Sequence, residues 1–328
     1  MKPRILVTRE NFPEVLAHLA GRFEVEDNQA DTPFPAAELR ARLADKDGAL
    51  ITGFDHIDGP LLDACPRLKA ACNLAAGYNN MDLGACTARG VIATNTPEVL
   101  NETTADLAFA LMMAAGRRIA ESERWLRTGR WQGWKVEQFL GQDIHRATLG
   151  IVGMGRIGQA IARRGRGFDM TILYNNRSRV PPEIESALGA RRVDLHDLLR
   201  ESDFVCLALP YAPESHHLIG EPELALMKRS AILVNIARGG IVDDAALIAA
   251  LRVRRIAGAG LDVFEGEPAL NPGLLELDNV VLTPHIGSAS RRTRLAMGMT
   301  AAGNLIAALA GERPPNLLNP EVWEHRRR

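Results

Sequence analysis

Three short segments in the second half of the chain carry residues able to move a proton and grip an anion. They are Asn235-Ile236-Ala237-Arg238-Gly239-Gly240, Gly260-Leu261-Asp262-Val263-Phe264-Glu265-Gly266-Glu267-Pro268 and Thr283-Pro284-His285-Ile286-Gly287. An imidazole can give up a proton near neutral pH, a carboxylate beside it orients it and favours its imidazolium form, and a guanidinium fork binds carboxylate and carbonyl oxygens. His285, Glu267 and Arg238 together therefore hold the parts that reducing a 2-oxo acid by hydride transfer would need: a proton donor for the developing alkoxide, its orienting partner and a cation. Singly they are ambiguous. The chain has eight histidines, any one of which is more often structural than catalytic, and Arg238 and Glu267 alone read equally well as solvated charges or a surface ion pair. The adjacent His216-His217 pair would point to two sides of a helix or strand, so no metal site is expected.

A hydride needs a carrier, and the sequence offers a place for one. The apolar run at 148–152 leads directly into Gly153-Met154-Gly155-Arg156-Ile157-Gly158, after which Ile157, Ala160 and Ile161 begin a helical apolar face. A lone GxGxxG is a weak signal; set between a strand and a helix, with another strand at 171–174, it has the context of a dinucleotide site rather than an unliganded turn. Gly153 permits the tight turn, Gly155 lets a pyrophosphate approach the backbone, and Gly158 lets the helix pack on the strand. The helix N-terminus then offers amide donors to the phosphates. An acid usually ends the second strand and accepts from the ribose 2′-hydroxyl. This chain has Asn175-Asn176-Arg177-Ser178-Arg179 there, whose two guanidinium groups and hydroxyl suit a 2′-phosphate, so NADP(H) is expected in preference to NAD(H). A solvated arginine pair is the plainer reading of the same residues. Asp262 could cap a turn or, from its place at a strand end, contact the nicotinamide.

These segments need elements to hold them. Continuous Val/Ile/Leu/Ala runs at 148–152, 171–174, 204–208, 232–235, 258–263 and 280–283 alternate with helix-period segments, the rhythm of a parallel sheet covered on both faces. An earlier series at 5–8, 49–52, 68–74 and 91–94, with helical segments at 35–43 and 82–88, predicts a second open sheet. In such sheets ligands collect beyond the carboxyl ends of the strands, where the reactive segments lie. Two helices stand apart as candidate connections between domains. Residues 101–118 are apolar on nearly every side and should be buried between domains or subunits; residues 290–310 carry Leu295, Met299, Ala302, Ile306 and Leu309 at helical spacing.

A length of 328 residues suits two domains, and 46% hydrophobic with 24% charged residues argues against disorder, collagen-like repeats and a coiled coil. Lys and Arg number 39 against 40 Asp and Glu, which leaves no basic excess for nucleic acid; the terminal Arg326-Arg327-Arg328 reads as a solvated tail. The longest apolar run, 107–115, falls short of the roughly 20 residues of a membrane span. The start, Met1-Lys2-Pro3-Arg4, leads straight into a strand rather than a secretion signal. Four cysteines with neither disulfide density nor CxxC spacing fit reduced thiols in a cytoplasmic protein.

With Ala76-Gly77-Tyr78-Asn79-Asn80, Asn101-Glu102-Thr103-Thr104-Ala105-Asp106, the GMGRIG loop and the Arg238, Glu267 and His285 segments, the sequence resembles the D-isomer-specific 2-hydroxyacid dehydrogenase family over essentially its whole length. The resemblance implies two Rossmann-like doubly wound parallel-sheet domains with a cleft between them: a discontinuous, flavodoxin-like substrate domain of residues 1–102 and 290–328, and an inserted NADP-binding Rossmann domain of residues 103–289. It implies a homodimer with the buried-helix region near the interface. By the same resemblance Arg238 binds substrate, Glu267 partners the histidine and His285 donates the proton, while backbone amides at Ala76 and Gly77 hold the substrate carboxylate. Thr104, Ile236 and Asp262 would contact the nicotinamide side of the cofactor, Pro210 would lie beside the adenosine, and Arg156 with Ile157 at the pyrophosphate. A narrower similarity, carried by residues 174–177, 201–207 and 284–288, is to NADPH-dependent glyoxylate and hydroxypyruvate reductases, including the bacterial type that also reduces 2-ketogluconate. The loop at 131–142, with Trp134 and Phe139, is expected to shape the substrate end. The activity so implied is NADPH-dependent reduction of small 2-oxo acids to D-2-hydroxy acids. Two other readings stay open: a sibling dehydrogenase acting on phosphite, and a dinucleotide-sensing binding protein like the corepressors that share the fold. Formate-oxidising relatives carry glutamine for the glutamate partner, so Glu267 argues against that branch.

Overall fold

The computed structural model describes residues 2–327; Met1 of the amino-terminal segment and Arg328 of the arginine trio lie outside them. The chain divides into two compact units, Met1–Leu100 with Ala289–Arg328, and Asn101–Ser288. The first unit is built on β1 (Arg4–Val7), β2 (Glu24–Asp27), β3 (Gly48–Ile51), β4 (Ala70–Asn73) and β5 (Ile92–Thr94). They lie in the order β2-β1-β3-β4-β5 with every neighbouring pair parallel. Parallel neighbours need crossovers, supplied by α1 (Pro13–Ala20), α2 (Ala36–Leu43), α3 (Gly59–Ala64) and α4 (Leu83–Ala88). Apolar layers cover both faces, with Leu6, Ala49, Ile51 and Ala71 in one and Ile5, Val7, Leu50 and Cys72 in the other.

The second unit opens with α5 (Asn101–Gly116) and α6 (Ile119–Arg127). Its sheet comprises β6 (Thr148–Val152), β7 (Thr171–Asn175), β8 (Ala190–Arg192), β9 (Phe204–Leu207), β10 (Ile232–Asn235), β11 (Gly258–Leu261) and β12 (Val280–Leu282), in the order β12-β11-β10-β9-β6-β7-β8 and parallel throughout. The connecting helices are α7 (Arg156–Arg166), α8 (Pro182–Leu188), α9 (Leu195–Glu201), α10 (Glu221–Leu226) and α11 (Asp244–Arg252). Strand order reverses between β6 and β9, and this is the point at which an open sheet of this kind leaves a crevice for a ligand. The chain then returns to the first unit as α12 (Arg291–Ala310), capped by Ser290, whose hydroxyl accepts from the Thr293 amide, and stopped by Gly311 at φ 82°. Ala301, Ala302, Leu305 and Ala308 of α12 are buried in the layer that holds Ile5 and Val7.

Two strands depart from the sequence expectation. β2 reads EVED and β8 reads ARR, and both sit at a sheet edge. An edge strand has one ladder partner and exposed side chains, so no apolar run marks it. α5 is buried as anticipated, but its cover is accounted for within its own unit: Ala105, Ala108, Phe109 and Met112 share a layer with Ile151, Ile232 and Val234. The close fit is set by Gly260 on β11, where a Cβ would stand 2.9 Å from the Leu111 Cβ. The arginine tail is not simply solvated either. Arg327 Nη1 donates to the carbonyls of Cys65 and Leu68 at 2.7 and 2.9 Å, its amide donates to Gly90, and the Arg326 guanidinium lies 3.8 Å over the Trp323 ring. All four cysteines are buried free thiols, and no helix among the described residues is long and apolar enough to cross a membrane.

Candidate active site

The reactive residues of the second unit stand where β10, β11 and β12 end. His285 Nδ1 lies 2.8 Å from Glu267 Oε2, while Glu267 Oε1 accepts from the Phe264 amide at 2.8 Å. The carboxylate is thus fixed by backbone before it fixes the imidazole. His285 has a left-handed backbone, φ 51°, a conformation that costs a non-glycine residue about 1–2 kcal/mol and persists where the surroundings over-determine it. Asp262 supplies that constraint. Its carboxylate, 1% exposed, accepts from Thr283 Oγ1 at 2.7 Å and from the amides of Ile286 and Gly287 at 2.7 and 2.8 Å, and its carbonyl accepts from the His285 amide. Burial pushes the Asp262 carboxyl above its usual range, with these hydrogen bonds pulling it back. Arg238 is part-buried at the end of β10; burial holds its guanidinium below the usual arginine range, and the nearby Glu267 carboxylate opposes that shift. Asn235 braces the turn, its Nδ2 donating to the Arg238 carbonyl and its Oδ1 accepting from Ala237.

Beneath the Glu265 amide lies Asp244, whose Oδ2 accepts from it at 3.1 Å. Burial raises this carboxyl from 3.8 to about 6. Because the folded-state value is the higher one, the folded protein holds a proton between about pH 4 and 6 that the unfolded chain has lost, and stability falls as pH rises through that window. Asp244→Asn removes the titration and keeps an acceptor. It should raise stability at pH 8 by up to about 3 kcal/mol and leave it near wild type below pH 4. Thermal melts followed by circular dichroism at the two pH values check this; an equal gain at both would refute it.

The glycine loop joins β6 to α7 at the switch point. Gly153 has φ 102°, and a Cβ on Gly158 would stand 2.1 Å from the Gly153 carbonyl oxygen, so the turn and the helix both need glycine. No atom lies within 4 Å of a Cβ built on Gly155, which caps the eleven-residue α7. That open face at a helix N-terminus fits a pyrophosphate. Arg156 at the head of α7 and Pro210 past β9 are exposed, whereas Thr104, Ile236 and Asp262 are buried. Thr104 and Asp262 meet at Gly287, where a Cβ would lie 3.4 Å from Thr104 Cγ2 and 3.2 Å from Asp262 Oδ2. Asn176 Oδ1 accepts from the Met154 amide at 2.7 Å and so holds the glycine loop. Arg177 and Ser178 are exposed beside it.

In the first unit, the loop after β4 has its carbonyls drawn to one side. The Thr96 amide donates to Ala75 O at 2.9 Å, Asn95 Nδ2 to Ala76 O at 2.6 Å and Asn73 Nδ2 to Gly77 O at 3.0 Å. In a trans peptide each N–H points opposite the preceding C=O, so the amide of Ala76 points away from Thr96 and that of Gly77 away from the Asn95 side chain.

The family model described as the D-isomer specific 2-hydroxyacid dehydrogenase, NAD binding domain, matches residues 109–287. A glyoxylate reductase of Pyrococcus horikoshii is 48% identical over 332 residues, spanning 100% of this chain and 99% of that protein. The chain belongs to the D-isomer specific 2-hydroxyacid dehydrogenase family. Solved structures agree: the TT0316 protein of Thermus thermophilus superposes with a TM-score of 0.89 at 43% identity, covering 96% of this chain and 99% of that one. An NADPH-dependent glyoxylate/hydroxypyruvate reductase of Sinorhizobium meliloti, solved with NADP and malonate, gives 0.86 at 35% identity, covering 100% and 99%. The glycine loop and the turn at 175–179 fall inside the matched nucleotide-binding domain, which makes NAD(P) the cofactor class of this dehydrogenase.

Several sequence expectations for the dehydrogenase site are altered. Arg179 is committed to Glu185, its Nε and Nη2 donating to the two carboxylate oxygens at 2.9 and 2.6 Å, and Tyr174 hydrogen-bonds the same carboxylate. Arg192 on β8 donates Nη2 to the carbonyls of Asn176 and Arg177 at 3.0 and 3.2 Å, a second guanidinium at this turn. The edge strand that carries it has no sequence signal. The carboxyl end of the loop at 131–142 is anchored to α5 and α6. The Gln142 amide donates to Gly116 O at 2.7 Å, and Phe139 packs on Trp125 and Arg118. A Cβ on Gly116 would stand 3.0 Å from the ring of Phe204, the first residue of β9, so this anchor lies near the amino edge of the sheet. Trp134 in that loop is 80% exposed. Finally, His216 and His217 do not diverge. His217 is left-handed at φ 51°, and the two rings stack.

Proposed function

We propose that this dehydrogenase reduces small 2-oxo acids such as glyoxylate and hydroxypyruvate, and 2-ketogluconate with them, to D-2-hydroxy acids with NADPH. The observation that carries the reading is the His285–Glu267 pair beside a part-buried arginine. Glu267 orients the imidazole through Nδ1, and His285 acts as the proton donor to the carbonyl oxygen. Arg238 binds the substrate carboxylate and draws electron density from the carbonyl. Asp262 is a positioning residue, holding the loop that presents the imidazole. The chemistry supplied by a bound dinucleotide is a hydride for the carbonyl carbon. Glyoxylate reductase relatives near 48% identity support the substrate class. Initial rates of absorbance loss at 340 nm across glyoxylate, hydroxypyruvate, 2-ketogluconate, pyruvate and phenylpyruvate test it, and turnover of phosphite with none of these acids would replace it.

The NADPH preference rests on Arg177, Ser178 and Arg192, not on Arg179. A charge-assisted hydrogen bond contributes about 1.5–3 kcal/mol, so losing two cationic partners should matter greatly. Arg177→Asp combined with Arg192→Ala is expected to lower the ratio of kcat/KM for NADPH over NADH by 10²-fold or more, on the order of two such bonds. Arg179→Ala should leave the ratio near wild type and lower the melting temperature instead, since it strips a partner from Glu185. A collapse of the ratio in Arg179→Ala alone would restore that residue to the phosphate site.

Assembly as a homodimer in the cytoplasm completes the proposal. Exposed Ile119, Leu126, Trp131, Trp134, Val136 and Leu140 gather in one short stretch, and a second copy of the chain is the partner that would cover them.

A further inference from the structure

His216, His217 and Glu265 each place a ligand atom within 4.8 Å of the others'. Neighbouring residues in regular backbone diverge; the left-handed turn at His217, φ 51°, brings its ring onto His216 at 3.9 Å between centroids with 23° between planes. Glu265 Oε1 lies 3.1 Å from His217 Nε2, Asp243 Oδ2 lies 3.8 Å from His217 Nδ1, and the Tyr211 hydroxyl lies 3.2 Å from His216 Nδ1. Two imidazoles and a carboxylate, converging through a backbone conformation unfavourable for histidine, form a donor set suited to one ion.

We propose that His216, His217 and Glu265 bind a divalent transition-metal ion of the zinc or nickel class, distinct from the dehydrogenase site. Zinc takes imidazole nitrogen and carboxylate oxygen at about 2.0–2.2 Å in tetrahedral geometry, so two ligand atoms on one ion stand roughly 3.4 Å apart. Atoms already within 4.8 Å reach that spacing by a small side-chain rotation, and exposed His216 has room to make it. Three protein ligands leave a fourth position for water, while Asp243, on the other ring nitrogen of His217, stands where it can orient that ring. Imidazole donors favour zinc, nickel or copper over magnesium and calcium. The ion ties together two loops that carry the proposed chemistry without touching it. Glu265 is two residues from Glu267, and the His217 amide donates at 2.8 Å to the carbonyl of Gly240, two residues from Arg238.

Calorimetric titration of the EDTA-dialysed full chain with Zn²⁺, Ni²⁺ and Mg²⁺ tests the site. Zn²⁺ should bind at one per chain, and Mg²⁺ should give no saturable heat. His216→Ala and Glu265→Gln should each weaken Zn²⁺ binding by tenfold or more, with affinity also falling as pH drops and the imidazoles protonate. His285→Ala should leave it unchanged, which separates this site from the His285–Glu267 pair. Absence of saturable Zn²⁺ binding to the wild type, full affinity retained in His216→Ala, or loss of binding in His285→Ala would each overturn the proposal.

Discussion

His285→Ala is expected to lower turnover of 2-oxo acids about 10²–10⁴-fold, the range spanned by a lost general acid, while NADPH binding measured by fluorescence titration stays near wild type. The two parts of this expectation come from different loops. The imidazole follows β12, where its Nδ1 is engaged by Glu267, whereas the proposed phosphate cradle is the glycine loop between β6 and α7. The variant should also fold. The bonds that fix residue 285 are made by backbone: its own amide to the Asp262 carbonyl, and the amides of Ile286 and Gly287 to the Asp262 carboxylate. Alanine retains them all and bears the same left-handed φ at a similar cost. Wild-type turnover would remove His285 from the proton-donor role, and equal losses in turnover and NADPH affinity would make it a structural residue.

The same loop shows where sequence reasoning reaches and where it stops. Apolar runs revealed ten of the strands because parallel strands covered on both faces need continuous Val, Ile, Leu and Ala. Each of the three reactive segments could be placed at the end of such a run. What a run cannot reveal is a strand with only one neighbour and polar side chains, so β2 and β8 passed unseen, and Arg192 with them. Glycine announces a left-handed turn by its own type, as Gly153 does. His285 and His217 do not, since the residue type admits a φ near 51° without demanding it. The pairing of Arg179 is hidden for a related reason: whether a guanidinium faces solvent or a carboxylate six residues along depends on how α8 turns back. Bracing asparagines, Asn73, Asn95 and Asn235, act through backbone carbonyls whose direction is set only by the fold.

Arg238 is where tertiary constraint should have its second large effect. Its guanidinium is held where burial disfavours the charge and Glu267 partly opposes that effect, and Nη1 already donates to the Ala237 carbonyl at 2.7 Å. Removing one partner of a desolvated charged pair costs about 2–5 kcal/mol, which predicts a loss in kcat/KM for Arg238→Ala of roughly 30- to several-thousand-fold. Arg238→Lys keeps the charge but loses the planar fork, and it should recover only part of the loss. The division between constants tells which oxygens the arginine serves. A guanidinium that binds only the carboxylate holds substrate and transition state alike, and its removal raises KM with little change in kcat. One that also reaches the carbonyl oxygen meets more negative charge as the alkoxide develops, and its removal lowers kcat as well. Since Glu267 touches both His285 and the field at Arg238, proton donor and cation are arranged around one developing charge, and the fall in kcat should accompany the rise in KM. Steady-state kinetics on glyoxylate with the two variants decide it: a change in KM alone confines Arg238 to the carboxylate, and an unchanged kcat/KM removes it from the site.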